Sequence, residues 1–107
     1  MKIDISRAIE IMEDYDFSVF LYDDDMMELE TWTNAGVNML IHLDKTTIME
    51  DLYYYIRNFD VEEEVLVYIN DMEYRDSIGL RGGLKDFDTY LETIESMYRD
   101  LNEEFEE

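Results

Sequence analysis

Apolar side chains recur along this chain with two different periods, and the switches between them mark out its elements. Ile5, Ala8, Ile9 and Met12 stand at i, i+3, i+4 and i+7 behind Asp4, a capping residue type. That spacing predicts an amphipathic helix over 4–13, with Glu10 and Glu13 on its polar side. The period then changes to two. Phe17, Val19 and Leu21 alternate with Ser18, Phe20 and Tyr22, and Asp23-Asp24-Asp25 breaks the pattern as a turn. A second strand is predicted from Met26 to Thr33, then a turn at Asn34-Ala35-Gly36. In the third strand Val37, Met39, Ile41 and Leu43 share one face, and Asn38, Leu40 and His42 share the other. Loops this short imply an antiparallel meander.

Thr47-Ile48-Met49-Glu50 has the form of a capping box and opens a second helix, whose buried stripe is Ile48, Leu52, Tyr55, Ile56 and Phe59. Tyr53 and Tyr54 point outward on that wheel. Alternation of Val65, Val67 and Ile69 predicts a fourth strand, with Ser77 to Arg81 as a short hairpin partner across a loop at Asn70–Asp76. Gly82-Gly83 ends that hairpin. Leu84, Phe87, Leu91, Ile94, Tyr98, Leu101 and Phe105 then trace one face of a helix of about 22 residues, about 33 Å long. The predicted order is α-β-β-β-α-β-(β)-α. It describes an α+β fold in one domain over 1–107, an antiparallel meander of three to five strands with helices packed on it.

One face of that sheet is unusual. It carries Phe20, Tyr22, Met26, Trp32 and Leu40 beside Glu28, Glu30 and His42, too apolar a set to stand in water. By the two-layer rule a helix of the same chain is the expected cover, with a dimer partner or a target protein as the alternatives.

Charge changes the picture more than composition does. Asp and Glu number 29 against 8 Lys and Arg, a net charge of −21 on 107 residues, although 47% of the chain is apolar and 14% aromatic. A disordered acidic tail lacks the hydrophobic residues to fold, whereas this chain has enough for a core and must carry its surplus charge outside. The charge far exceeds what solubility requires of a small domain, and self-repulsion opposes compaction. Nucleic acids and anionic membranes are read through Lys and Arg, so both are excluded as direct partners. Basic proteins, above all those with nucleic-acid-binding channels, are the partners expected. No cysteine, signal peptide or long apolar run is present, which points to the cytoplasm.

Catalytic and metal chemistry find little support. With 29 carboxylates, close acid pairs are unavoidable and carry no information. His42 is the only histidine and cannot form a triad without a convincing serine. Neither Asp23-Asp24-Asp25 nor Asp60–Glu64 has the spacing of a calcium-binding EF-hand loop. Gly79, Gly82, Gly83 and Lys85 miss the phosphate-loop spacing. No enzyme activity, metal or cofactor is expected.

The acids sit on elements rather than in tails. Asp88, Glu92, Glu95, Glu103 and Glu106 line the last helix opposite its apolar stripe, with Glu95 and Arg99 placed to pair at i, i+4. Glu103-Glu104-Phe105-Glu106-Glu107 puts anions at a helix C-terminus, where the macrodipole favours cations, and such violations concentrate at functional sites.

Glu28-Leu29-Glu30-Thr31-Trp32-Thr33, Gly36-Val37-Asn38-Met39 and Asn58-Phe59-Asp60-Val61-Glu62-Glu63-Glu64-Val65 resemble small acidic proteins carried by prophages and conjugative elements of bacteria, over roughly residues 17–98. In size, acidity and helix-then-meander order the chain also looks like type II anti-CRISPR proteins and, more loosely, phage anti-restriction proteins that imitate DNA. The resemblance implies a mobile-element setting in a bacterial host.

The expected function is a DNA-mimic inhibitor of a host defence nuclease, a Cas9-type effector first and a restriction enzyme second, acting by occupation. The expected contacts are Asp23, Asp24, Asp25, Glu28 and Glu30 of the first hairpin, Asp71, Glu73 and Asp76 of the later loop, and Asp88, Glu92 and Glu95 of the last helix. Trp32, Tyr53 and Tyr54 are the candidate anchors. The alternative is an acidic interaction or regulatory module, monomeric or homodimeric, that binds another basic protein.

Overall fold

Seven elements follow one another in the computed structural model, which describes residues 3–22, 25–34, 36–69 and 79–105. They are α1 (Ile5–Asp14), β1 (Ser18–Leu21), β2 (Met26–Trp32), β3 (Asn38–Asp44), α2 (Ile48–Asn58), α3 (Val61–Ile69) and α4 (Gly79–Phe105). The fold class is α+β.

Helix α1 begins as its sequence dictates: the Asp4 carboxylate accepts the backbone N–H groups of Ser6 and Arg7 at 3.0 and 3.4 Å. It ends in a Schellman arrangement. Phe17 N–H reaches the Met12 carbonyl and Asp16 N–H the Glu13 carbonyl, with Asp16 in the left-handed region at φ 67°. The reversal delivers Phe17 into the core.

The three strands form an antiparallel sheet in the order β1-β2-β3. Val19 pairs Leu29, which pairs Ile41; Leu21 pairs Met27, which pairs Leu43. On this inner face Met27, Leu29, Met39, Ile41 and Leu43 are buried with Ala8, Ile11 and Met12 of α1, Ile48, Met49 and Leu52 of α2, Val65 of α3 and Phe87, Tyr90, Ile94, Met97 and Leu101 of α4. One hydrophobic core thus runs through every helix. Tyr55, Phe59, Phe87 and Tyr90 add ring contacts with centroids 5.5–6.5 Å apart. Among the described residues no helix is long and apolar enough to cross a membrane.

The second half departs from the sequence expectation. Val65, Val67 and Ile69 lie in helix α3, not in a fourth strand. The cause is local. Asp60 caps the helix, its Oδ1 accepting Glu63 N–H at 3.1 Å, and Glu62, Glu63 and Glu64 place three anions in the first turn, where the macrodipole favours them. Val61 and Val65 then stand one turn apart and pack inward, while Leu66 and Val67 are exposed. Of the expected fifth strand, Gly79–Arg81 is helical; Ser77, Ile78 and the loop Asn70–Asp76 lie outside the described residues.

Gly82-Gly83 does not terminate an element either, because α4 runs through it for 27 residues, about 40 Å. Two glycines cost a helix roughly 2 kcal/mol relative to alanine. Burial of Phe87, Tyr90 and Ile94 in the turns that follow offsets that cost.

Helix α2 starts where expected, but Thr47 makes no side-chain cap to its backbone. Its hydroxyl donates instead to Asp51 Oδ2 at 3.1 Å, and the same oxygen accepts the Asp44 N–H at 2.9 Å. Asp51 therefore ties the end of β3 to the first turn of α2.

Candidate protein-interaction face

Register decides what the sheet shows on its other side. Tyr22 leads to Met26 by a 3.0 Å backbone bond, and Met26 pairs Asp44; Phe20 pairs Glu28, which pairs His42; Ser18 pairs Glu30, which pairs Leu40; Trp32 pairs Asn38. These four rows form the outer face, since side chains alternate along each strand. Among the described residues the expected helical cover is not there. The four described helices all contribute to the core on the inner face, and Phe20, Tyr22, Met26, Leu40 and Trp32 are exposed among the described residues, Trp32 at 63%.

Two carboxylates are fixed in the middle of this aromatic surface. Glu28 accepts the Tyr22 hydroxyl on Oε2 at 2.9 Å and the His42 Nε2–H on Oε1 at 2.8 Å, leaving its side chain only 15% exposed. Glu30, one step along the same strand face, accepts the Asn38 amide at 3.1 Å. Neither has a Lys or Arg within ion-pair distance among the described residues. The bond to Glu28 holds the Tyr22 phenol above its ordinary pKa, because ionising it would set two anions together. Beside Trp32 a cavity of about 140 Å³ opens between the end of β2 and α4, with Asp86 buried in its wall and Thr89 and Thr93 contributing hydroxyls.

The structure gathers Glu28, Glu30 and Trp32 on this face, with exposed Asp25 at its rim in the β1–β2 turn. Asp23, Asp24, Asp71, Glu73 and Asp76 lie outside the described residues. Asp88, Glu92 and Glu95 are exposed on α4, which packs against α1, α2 and α3, so they belong to the helical layer and not to the sheet surface. Tyr53 is engaged within α2: the Arg57 guanidinium lies 5.4 Å from its ring centroid and donates to its hydroxyl at 2.8 Å. Tyr54, 65% exposed, meets the Tyr53 ring edge-on at 6.4 Å and also lines a groove with Met26 and His42.

Two electrostatic expectations change. The anions at the α4 C-terminus are partly compensated, because the Arg7 guanidinium binds Glu104 as well as Glu10. Glu95 and Arg99 do not pair; Arg99 donates to Ser96 at 3.4 Å. Glu106 and Glu107 lie outside the described residues.

Tyr22, Asn38 and His42, which orient the two glutamates, were legible as neighbours on the face but not as their partners. Pairing Tyr22 with Met26 across the aspartate turn is the signal that finds them. It sets Phe20 opposite Glu28, and the Thr33–Val37 bond between β2 and β3 sets His42 opposite Glu28.

Among the described residues no group of three or more His, Asp or Glu side chains is arranged to hold a metal ion. The chain matches no protein-family model, no curated protein and no solved structure.

Proposed function

We propose that this protein is an occluding inhibitor that seats the outer face of its sheet in the nucleic-acid-binding channel of a basic protein, a defence nuclease being the target class. The carrying observation is the pair Glu28 and Glu30. They leave one strand face two residues apart, with no Lys or Arg at ion-pair distance among the described residues, and are held by Tyr22, His42 and Asn38. Two strand residues advance about 6.8 Å. On each strand of B-form DNA one phosphate falls per about 3.4 Å of helix axis, so the two carboxylates span the axial advance of two phosphates.

Arg and Lys groups that grip phosphates along one strand would meet carboxylates at a comparable interval, already oriented and in a partly desolvated setting where charge-assisted bonds are strong. Trp32, Phe20, Tyr22 and Leu40 supply apolar area around them, and aromatic anchors of this kind carry most of the affinity in tight interfaces. The net charge of −21 steers the encounter with a basic channel and opposes pairing with a second copy. Occupation requires no catalytic group.

Resemblance to type II anti-CRISPR proteins sets the order of targets. A fluorescent DNA duplex bound to a purified Cas9–guide complex is displaced by micromolar protein, less effectively as salt rises. Undiminished DNA binding moves the assay to restriction enzymes, and no displacement from either class overturns the proposal. Displacement indifferent to ionic strength keeps the inhibition and removes the electrostatic mechanism.

A further inference from the structure

Hydrogen bonding in an antiparallel meander alternates, and the alternation decides which main-chain groups β3 turns to solvent. Thr33 donates its N–H to the Val37 carbonyl at 2.9 Å and Lys45 donates to the Asp25 carbonyl at 2.6 Å. With the register Met27↔Leu43, Leu29↔Ile41 and Thr31↔Met39 between them, the odd-numbered residues of β3 are those bonded to β2. The main-chain groups of Asn38, Leu40, His42 and Asp44 therefore point off the sheet, since β3 is an edge strand among the described residues. Asp44 N–H is taken by Asp51 Oδ2. For the N–H groups of Asn38, Leu40 and His42 no acceptor stands among the described residues.

The sequence of this edge lacks the usual protection. Proteins blunt exposed edges with Lys, Pro, bulges or very short strands. β3 has seven residues, Asn38–Asp44, with neither Lys nor Pro, and it pairs with β2 without a bulge from Met26↔Asp44 to Trp32↔Asn38.

Along the edge runs a groove of about 550 Å³ between β3, α2 and α3, walled by Tyr54, Tyr55 and Phe59 and by the carboxylates of Asp44, Asp51 and Glu64. Among the described residues no Lys or Arg lines it. Desolvation, helped by Glu63 and Asp60, raises the Glu64 carboxyl above its ordinary pKa, so the groove holds negative charge at a cost that a bound cation relieves. Aromatic faces beside carboxylates are a setting that favours guanidinium and ammonium groups.

We propose that the free edge of β3 accepts an extended segment of a basic partner as a fourth strand, paired to the main chain of Leu40 and His42, with alternate Arg or Lys side chains entering the groove beside Tyr54 and Glu64. Main-chain bonds supply the pairing, and the groove selects the side chains. Charge complementarity fixes the occupant: a second copy would bring its own net charge of −21 to an acidic groove. The inference rests on the proposed function only for the sign of the partner's charge, and its contact is the edge, not the outer face.

The probe is a blocked peptide of alternating Arg and Val, with an alternating Arg-Pro peptide of equal charge as the control that cannot add as a strand. The Arg-Val peptide binds at least tenfold more tightly than the control, and saturation with it slows amide exchange of Leu40 and His42 at least tenfold. Leu40→Pro removes one edge donor at a position where an edge strand tolerates proline, and abolishes the preference. Tyr54→Ala leaves the edge intact and weakens the Arg-Val complex.

Equal affinity for the two peptides, protection confined to other residues, self-association through β3, or no binding at millimolar peptide each overturns the added strand. Because nuclease displacement is not read here, such a failure leaves the outer-face proposal to its own assay. If Leu40→Pro does not fold, the Arg-Pro control still decides.

Discussion

The guanidinium of Arg7 in α1 binds the carboxylate of Glu104 in the last turn of α4, joining elements 97 residues apart. A cation is thereby placed where the macrodipole of α4 and its terminal glutamates are all negative. The pair is solvent-exposed, so on an ordinary surface it would be worth little. Here it is one of few cations against 29 acids. Arg7→Ala is expected to lower the melting temperature by several degrees. Added salt raises the melting temperature of both proteins by screening self-repulsion, and narrows the gap between them. Thermal denaturation across a salt series reads both effects.

Substitution at Val67 separates helix from strand. Val67 is 59% exposed on α3, where a β-branched side chain is disfavoured relative to alanine. Val67→Ala should stabilise the protein by about 0.5 kcal/mol. A strand at this position would instead lose stability on the same change. Urea unfolding distinguishes the two by sign.

Glu64 gives a pH dependence with a definite direction. Its carboxyl is raised above 4.5 first by desolvation and then by Glu63 and Asp60. A raised carboxyl penalises the folded state above its folded pKa, and the penalty fades as pH falls through that value toward the unfolded one. Glu64→Gln should therefore melt several degrees higher than the parent at pH 7. At about pH 3, where the carboxyl is protonated in both states, the two should melt alike. A gap that persists in acid would assign the effect to packing.

How far the sequence carries is visible element by element. The first half was legible to within a residue or two because its signals agree: Asp4 caps, β1 and β2 pair antiparallel, and period-two alternation continues through Leu43. The second half misled where signals conflict. Val65, Val67 and Ile69 have strand-like chemistry, but the Asp60 cap and three first-turn glutamates outweigh it. Gly82-Gly83 reads as punctuation, yet the packing of Phe87 and Tyr90 carries the helix through it.

The candidate face was legible as a surface and not as a site. Alternation alone puts Glu28, Glu30 and Trp32 together. That no described helix lies over them, and that Tyr22, His42 and Asn38 hold the acids, depends on where α1, α2 and α4 pack, which no local pattern encodes.

The most direct test compares two charge removals in displacement of DNA from the Cas9–guide complex. Glu28→Gln with Glu30→Gln takes two charges from the sheet face; Glu92→Gln with Glu95→Gln takes two from α4. Both pairs weaken long-range steering equally, but the sheet pair alone removes groups held for contact. The sheet variant is predicted to lose at least tenfold in affinity and the α4 variant no more than about threefold, with Trp32→Ala resembling the sheet variant. Equal losses from the two pairs, or a larger loss from α4, would contradict the assignment of the outer sheet face as the surface that binds.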